Sequence, residues 1–458
     1  MSAQQRHGHA IVLGASIAGL AAARVLSESF AKVTVFDRDE LPAGHHARRG
    51  VPQGEHTHGL LARGRQVLEE LFEDFIPEVT ALGAIPIDVQ RDVLWINDGH
   101  QLANAESGLL GLCISRPTLE GYVRTRVAGL SNVEIRDRHE ALGYLTSADR
   151  TRVTGVRVLP KNGDPVELAA DLVIDATGRG NRGSTWLTAI GYEPAAEEHV
   201  DPQTVYMTRE FRRAPGTLPY AGIVESPWPD NPVGGVAIAV DGDRWMVTLL
   251  GCGPGQAPPA DIDAFVEFTK RLPHPAMYEL VSTCEPVGPP LKLRLPTSVR
   301  RRYEHLRRLP EGLVSIGDSV CAFNPAYGQG MTSAIAQAMA LRDCLARGRS
   351  GLPKRFYAAA AKIIDVPWSI AVGADLRFEH VAGERTRQVE FLNGYVGRLH
   401  VAAAAYPAVG TAFLKVANLM APPPALFAPN VLARVLLHGT APARPVVTPA
   451  EREKVSVA

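Results

Sequence analysis

Residues 314–333 read VSIGDSVCAFNPAYGQGMTS, and the rest of the chain is arranged around them. The apolar run 313–316 predicts a short buried strand. It ends in Gly317-Asp318, a turn that carries one carboxylate. A loop rich in proline and glycine follows, Asn324-Pro325-Ala326-Tyr327-Gly328-Gln329-Gly330, and residues 331–345 then run with helical spacing. Gly328 and Gly330 let the backbone approach a flat ligand without Cβ contacts. The exposed N–H groups at the start of the helix favour an anion or an electron-rich edge. Asp318 can accept hydrogen bonds from sugar-like hydroxyls. The same segment also reads as a plain loop joining a strand to a helix, and the glycines alone do not separate the two readings.

Length and composition bound the rest. A chain of 458 residues, 46% of them hydrophobic, can bury two or three cores. With 48 Lys+Arg against 48 Asp+Glu, nothing in the charge balance points to a nucleic-acid partner. Cys113, Cys252, Cys284, Cys321 and Cys344 are scattered and read as buried thiols of a reducing compartment. The opening stretch MSAQQRHGHA has no apolar signal core, so a cytoplasmic protein is expected. Residues 401–420 are apolar but are interrupted by Pro407, Gly410 and Lys415. A span of about 18 uninterrupted apolar residues is missing there, and no transmembrane helix is expected.

The start of the chain supplies a second motif. A strand over 10–13 leads into Gly14-Ala15-Ser16-Ile17-Ala18-Gly19, an alanine-rich helix over 20–27 and a strand over 32–36. Ser16 stands where the dinucleotide fingerprint has its central glycine, which weakens the match without breaking it. Asp37 ends the second strand about 20 residues on, the spacing at which a carboxylate meets a ribose 2′-OH. The unit therefore reads as dinucleotide-binding.

The loop 44–59, GHHARRGVPQGEHTHG, leaves two readings open. It covers a cofactor, with Arg48 or Arg49 facing phosphate and His56 or His58 near a ring, or it is a polar surface loop. No third ligand is spaced to complete a metal site with the His-x-His pair, and none is expected. An amphipathic helix is expected over 60–75, a hairpin over 84–103 turned at 97–99, and a helix that opens over 114–120 and runs to 130. Residues 205–250 alternate as long antiparallel strands. The basic run 300–308, RRRYEHLRR, reads first as a solvated helix face and second as a nicotinamide phosphate site. Past 349 the pattern is helical.

Three separated pieces now agree: GASIAG with Asp37, Asp175-Ala176-Thr177-Gly178, and GDSVCAFNPAYGQGM over 317–331. Together they resemble the single-component, class A FAD-dependent monooxygenases typified by para-hydroxybenzoate hydroxylase, over roughly residues 8–350. RRGVPQGEHTHGLLARG and DATGRGNR are most similar to an actinobacterial polyene epoxidase subset, related to squalene epoxidase, which also holds FAD-binding decalin-forming cyclases. The resemblance implies an α/β chain with a discontinuous Rossmann-like FAD-binding domain (8–80, 104–185, 296–350). It implies an inserted antiparallel-sheet substrate domain (81–103, 186–295) and a C-terminal helical cap (351–458).

Carried over by position, Gly14, Ala15, Ser16, Ile17, Ala18 and Gly19 would surround the FAD pyrophosphate. Asp37, with Arg38 beside it, would meet the adenosine ribose. Arg49 and Arg116 would flank the phosphates and ribityl chain, Gly178 would line a strand end near the cofactor, and Asp318 would bind a ribityl hydroxyl. Pro325, Gly328, Gly330 and Met331 would face the isoalloxazine. The FAD is expected to be non-covalent, with NADPH or NADH as reductant. The implied reaction uses a flavin C4a-hydroperoxide made from O2 to epoxidise a hydrophobic polyene of secondary metabolism. A non-redox cyclase and a prenyl double-bond reductase are the alternatives. The Asp-Gly-x-x-Ser-x-x-Arg segment usual in phenol hydroxylases is replaced here by Ala-Thr-Gly-Arg-Gly-Asn-Arg, and Thr332 stands where many relatives have Asn. No essential acid–base pair stands out in the sequence.

Overall fold

The structure is a computed structural model. It describes residues 8–440 apart from 49, 181, 215 and 295–296, and apart from the side chains of residues 52 and 53. Near its start, β1 (His9–Leu13), α1 (Ile17–Ser29) and β2 (Lys32–Phe36) form a βαβ unit. These strands are apolar on both faces, as a parallel strand covered by helices must be. Val133–Arg136 adds beside β2, and Leu172–Asp175 and then Leu313–Ser315 add beyond β1, all parallel. Leu13 stands opposite Phe36 and Asp175, and Asp175 opposite Ser315. The carboxyl ends of four strands therefore lie level along one edge. In open α/β sheets that edge is where ligands bind.

A second, seven-stranded sheet is built mainly from Thr204–Arg212, Gly222–Glu225, Val233–Val240, Arg244–Cys252 and Pro286–Arg294. Val93–Asn97 joins it in parallel beside Gly222–Glu225 and turns back through Asp98-Gly99, both at positive φ. One face carries Met207, Ile223, Ala237, Val247 and Leu249, packed against the helices Ile262–Thr269 and Ala276–Thr283. The other face presents a row read off the register as Leu291, Thr208, Thr248, Val236, Val224, Trp95. Leu291, Val236, Val224 and Trp95 in that row are only half-buried.

Helices Leu352–Asp375, Arg387–Ala403, Pro407–Ala417 and Pro429–His438 form the C-terminal region, whose own apolar cluster includes Leu399, Val409 and Val435 and packs on Trp95. Among the described residues no helix is long and apolar enough to cross a membrane.

Some expectations need correction. The helix expected over 60–75 runs only from Ala62 to Leu71 and ends where Phe72 turns extended; a second helix, Phe75–Ala81, starts after Asp74 at a left-handed φ of 60°. Of the expected 84–103 hairpin, Ile85–Asp88 pairs instead with Leu110–Cys113 in a separate sheet. The basic run at 300 is not a solvated helix face. Ser298–Arg301 is a fully buried strand, and Arg300 and Arg301 are 2% and 3% exposed. Arg301 donates to Glu197 at 2.8 Å and to the backbone carbonyls of Asp318 and Ser319, so it fastens the key loop from behind.

Close backbone packing at the strand ends yields a test. Gly14 has φ +108°, and a Cβ there would lie 2.3 Å from the Ala176 carbonyl oxygen. Gly14→Ala should lower stability by roughly 1–3 kcal/mol from backbone strain alone. At Gly330 an added Cβ meets nothing within 4 Å. Gly330→Ala should stay within about 0.5 kcal/mol of the parent. Urea unfolding of the two variants checks both.

Candidate functional site

The site is built where the level strand ends turn over. At the end of β1, Gly14 N–H donates to the Phe36 carbonyl at 2.7 Å, and Gly19 lies so close that a Cβ would sit 1.8 Å from the Gly14 carbonyl oxygen. Ala15 N–H is already used: it donates to Asp37 Oδ2 at 2.7 Å. Ser16 is the N-cap of α1 but makes no side-chain cap bond, so the first turn keeps open N–H groups. Gly317, at φ +67°, would bring a Cβ within 2.6 Å of the Ala18 Cβ, so the turn bearing Asp318 rests on the start of α1. The Asp175 turn joins them. Asp175 is fully buried and accepts from Tyr144 Oη at 2.8 Å and from Thr177 N and Oγ1, while Gly178 N–H donates to Ser319 Oγ at 2.9 Å.

Charge gathers around this turn. Ser16 Oγ donates to Glu120 Oε2 at 2.9 Å, and Arg116 reaches both Ser16 Oγ at 2.8 Å and Glu120 at 3.2 Å. Arg48 pairs with Glu120 at 2.9 Å, Asp37 at 3.2 Å and Asp39 at 2.8 Å. Burial opposes ionisation of Glu120, but Arg116 and Arg48 hold its carboxyl below the ordinary range. Burial pushes the Asp318 carboxyl up, against the pull of Arg179, Arg116 and Arg301. Among the described residues the Asp318 carboxylate accepts no hydrogen bond, which leaves it free for a ligand hydroxyl.

The glycine loop is held from its far side. Asn324 Oδ1 accepts from Ala326 N at 3.1 Å and from Tyr206 Oη at 2.5 Å, and Asn324 Nδ2 donates to Asp375 Oδ1 at 3.1 Å. Tyr327 Oη donates to the same Asp375 oxygen at 2.8 Å. Pro325 opens a short 3-10 turn that Gly328 closes at φ +66°. Helix Gly330–Leu345 starts without a side-chain cap. Met331 packs in the main core, and Gln329 Nε2 donates to Ala417 O at 3.3 Å, tying the loop to the C-terminal helices.

Gly14–Gly19, Asp37, Arg116, Gly178 and Asp318 thus meet at one edge, with Pro325–Met331 at the start of the adjoining helix. Arg49 lies outside the described residues. Arg38 lines a cavity of about 580 Å³ beside the end of β2, with Asp39, Gly50, Arg138, Glu140 and Lys161. Sequence reasoning missed Glu120, Tyr206 and Asp375. Tyr206 and Asp375 meet their partners across long stretches of chain, and Glu120, although one helical turn from Arg116, meets Ser16 and Arg48 only through the fold. His56 and His58 are not surface groups: His56 is 8% exposed and His58 is half-buried, whereas His46 is exposed.

An open helix N-terminus, two arginines beside it, a free carboxylate and a glycine-lined wall suit a diphosphate, a polyol chain and a flat ring in that order. Residues 10–185 match the FAD dependent oxidoreductase family. Protein Rv3254 of Mycobacterium tuberculosis is 36% identical over 389 residues, spanning 82% of this chain and 82% of that protein. The chain belongs to the FAD-dependent oxidoreductase family. Solved structures of the same fold include Pseudomonas aeruginosa PqsL in complex with 2-aminobenzoylacetate (TM-score 0.59, 16% identity, 81% of this chain and 98% of that one). The flavin-dependent brominase Bmp2 matches with TM-score 0.65 and 11% identity, over 90% of this chain and 93% of that one. The Diels-Alderase PyrE3 of pyrroindomycin biosynthesis matches with TM-score 0.58 and 17% identity, over 90% and 81%.

Asp375 gives this oxidoreductase a pH signature. It is 2% exposed, its Oδ2 is sealed without a partner, and burial pushes its carboxyl up to about 6. A raised folded-state value means that its contribution is full below the unfolded value of 3.8 and is lost as pH rises through about 6. The loss is on the order of 3 kcal/mol. Burial pushes His56 and His58 down to about 4, so they act in the opposite direction, with stability rising with pH up to 6.5, in parent and variant alike. Asp375→Asn should therefore gain stability relative to the parent between pH 4.5 and 7.5, as read by urea unfolding at each pH.

Proposed function

We propose that this protein is an FAD-dependent monooxygenase. It places one atom of O2 on a hydrophobic secondary-metabolite substrate by epoxidation of a polyene alkene, with NADPH or NADH as reductant. One observation carries the choice of substrate. The sheet face that reaches the glycine loop through Tyr206 and Asn324 presents the row Leu291, Thr208, Thr248, Val236, Val224, Trp95, which holds no charged residue. Sites for apolar ligands have this make-up, apolar walls with a few polar anchors.

When bound, FAD would supply the redox chemistry, accepting electrons from the nicotinamide and passing them to oxygen. This chain's residues do the rest. The open end of α1, Arg116 and Arg48 would hold the diphosphate. Asp37 would meet the ribose and Asp318 the ribityl hydroxyls. Gly328 and Gly330 let the backbone lie against the ring, and the uncapped start of Gly330–Leu345 favours negative charge at the ring's edge. The apolar row and the C-terminal helices that pack on Trp95 keep water from the reacting centre.

A second reading is a non-redox cyclase that folds a polyene in the same pocket. The shared fold of the Diels-Alderase PyrE3 supports it. The FAD-loaded protein, NADPH and a polyene that it consumes, incubated under ¹⁸O2, separate the two. One labelled oxygen in the product is the expected result. A product of unchanged mass, formed equally without NADPH or O2, would establish the cyclase.

A further inference from the structure

The sheet face beside the glycine loop is not wholly apolar. On strand Thr204–Arg212, Tyr206 and Thr208 point the same way, as residues two apart on a strand do. Tyr206 bonds to Asn324 of the glycine loop, and Thr208 bonds to His56. His56 Nδ1 lies 2.7 Å from Thr208 Oγ1. Thr208 Oγ1 lies 2.6 Å from Thr248 Oγ1, which lies 2.7 Å from Thr57 Oγ1. Thr57 Oγ1 in turn donates to the Met246 carbonyl at 3.3 Å, and Thr57 N–H donates to Thr248 Oγ1 at 3.2 Å.

Each hydroxyl has one hydrogen, so the direction of this chain is set by its end. The Met246 carbonyl can only accept. If Thr57 spends its hydrogen there, its bond to Thr248 must be donated by Thr248. Thr248 has then spent its hydrogen, so Thr208 must donate to it. Thr208 can then only accept from His56, whose Nδ1 must carry the proton. All five contacts are made in this direction, and the reverse direction loses the one to Met246. His56 Nε2 is left with a lone pair. It makes no hydrogen bond with a described residue, yet it is not among the sealed polar atoms that lack a partner, so part of its surface is accessible. Burial pushes the imidazole down to about 4, which keeps it neutral near pH 7.

We infer that His56 Nε2 is a hydrogen-bond acceptor for the substrate, and that the substrate is an apolar chain bearing a hydroxyl or similar donor, anchored at His56 while the rest lies along the apolar row. This deepens the reading above and rests on its placement of the substrate between sheet and glycine loop. His56 is a binding and specificity-determining residue that fixes which end of the chain lies at the loop.

Two measurements on the FAD-loaded protein at pH 7.5 test it, both without reductant. The first is the ring ¹⁵N–¹H spectrum of the histidines, with His56 assigned through His56→Asn. The expected form is Nδ1–H with bare Nε2. Thr248→Val removes the acceptor of the Thr208 hydroxyl, frees that hydrogen for His56 Nδ1, and should flip the ring to Nε2–H. The second is calorimetric binding of farnesol and farnesyl methyl ether, which differ in one donor. The parent should prefer the alcohol by roughly tenfold. His56→Asn and Thr248→Val should each abolish that preference. An Nε2–H ring in the parent, equal binding of alcohol and ether, no binding of either, or an unchanged preference in His56→Asn would overturn the inference. Because no turnover is involved, a failure to incorporate ¹⁸O would leave these results standing, and the reverse also holds.

Discussion

Three loops can share one edge of the parallel sheet only because no Cβ stands at their points of contact. Gly14 lies against the Ala176 carbonyl, Gly19 against the Gly14 carbonyl, and Gly317 against Ala18. At each point an added Cβ would come within 2.6 Å of its neighbour or closer. The turn after β1, the Asp175 turn and the Asp318 turn are thereby locked into one surface. Everything polar in the candidate site is placed relative to it. Arg116 and Arg48 reach the start of α1 because Glu120 is held there by Ser16. Asp318 is held in its turn by Arg301, which donates to its backbone carbonyl.

The second organising feature is how the seven-stranded sheet meets that surface. Its covered face is a mainly apolar core that also buries Glu225 and Arg209, whereas the face toward the glycine loop mixes apolar residues with a chain of bonded hydroxyls. Two buried titratable groups flank the contact and are shifted in opposite directions. Asp375 is pushed up to about 6 and His56 down to about 4. Both shifts have burial as their first cause, and both favour the neutral form. Near pH 7 this leaves the His56 imidazole neutral beside the apolar row, which suits a substrate with little charge of its own.

Much of the fold was legible because local chemistry decides it. The strand at Lys32–Phe36 has the expected bounds, and the turn at Asp98-Gly99 was marked by its residues. Elsewhere the pattern was local but its outcome was set from outside. Nothing in LFEDF marks the extended Phe72 that ends the helix at Leu71 or the left-handed Asp74 that precedes the next one. RRRYEHLRR looked solvated because, apart from Glu304 within it, its counter-charges Glu197, Glu198 and Asp365 are remote in sequence. The glycines and acids of the site were visible as motifs. Glu120, Tyr206 and Asp375 were not, since the fold brings Ser16 and Arg48 to Glu120, Asn324 to Tyr206 and Tyr327 to Asp375. His56 was noticed, but its role depends on the register that pairs Thr208 with Thr248.

The central claim is that one continuous surface, from the start of α1 through Asp318 to the glycine loop, holds FAD with its ring turned toward the sheet that carries Thr208 and His56. A crystal structure of the FAD-loaded protein tests this most directly. The account requires the diphosphate at Ser16–Gly19, ribityl hydroxyls at Asp318, and the ring against Gly328 and Gly330 with one face open to the apolar row. A cofactor whose ring lies in the cavity beside Arg38 and Lys161, or that leaves Asp318 without a ligand contact, would contradict it.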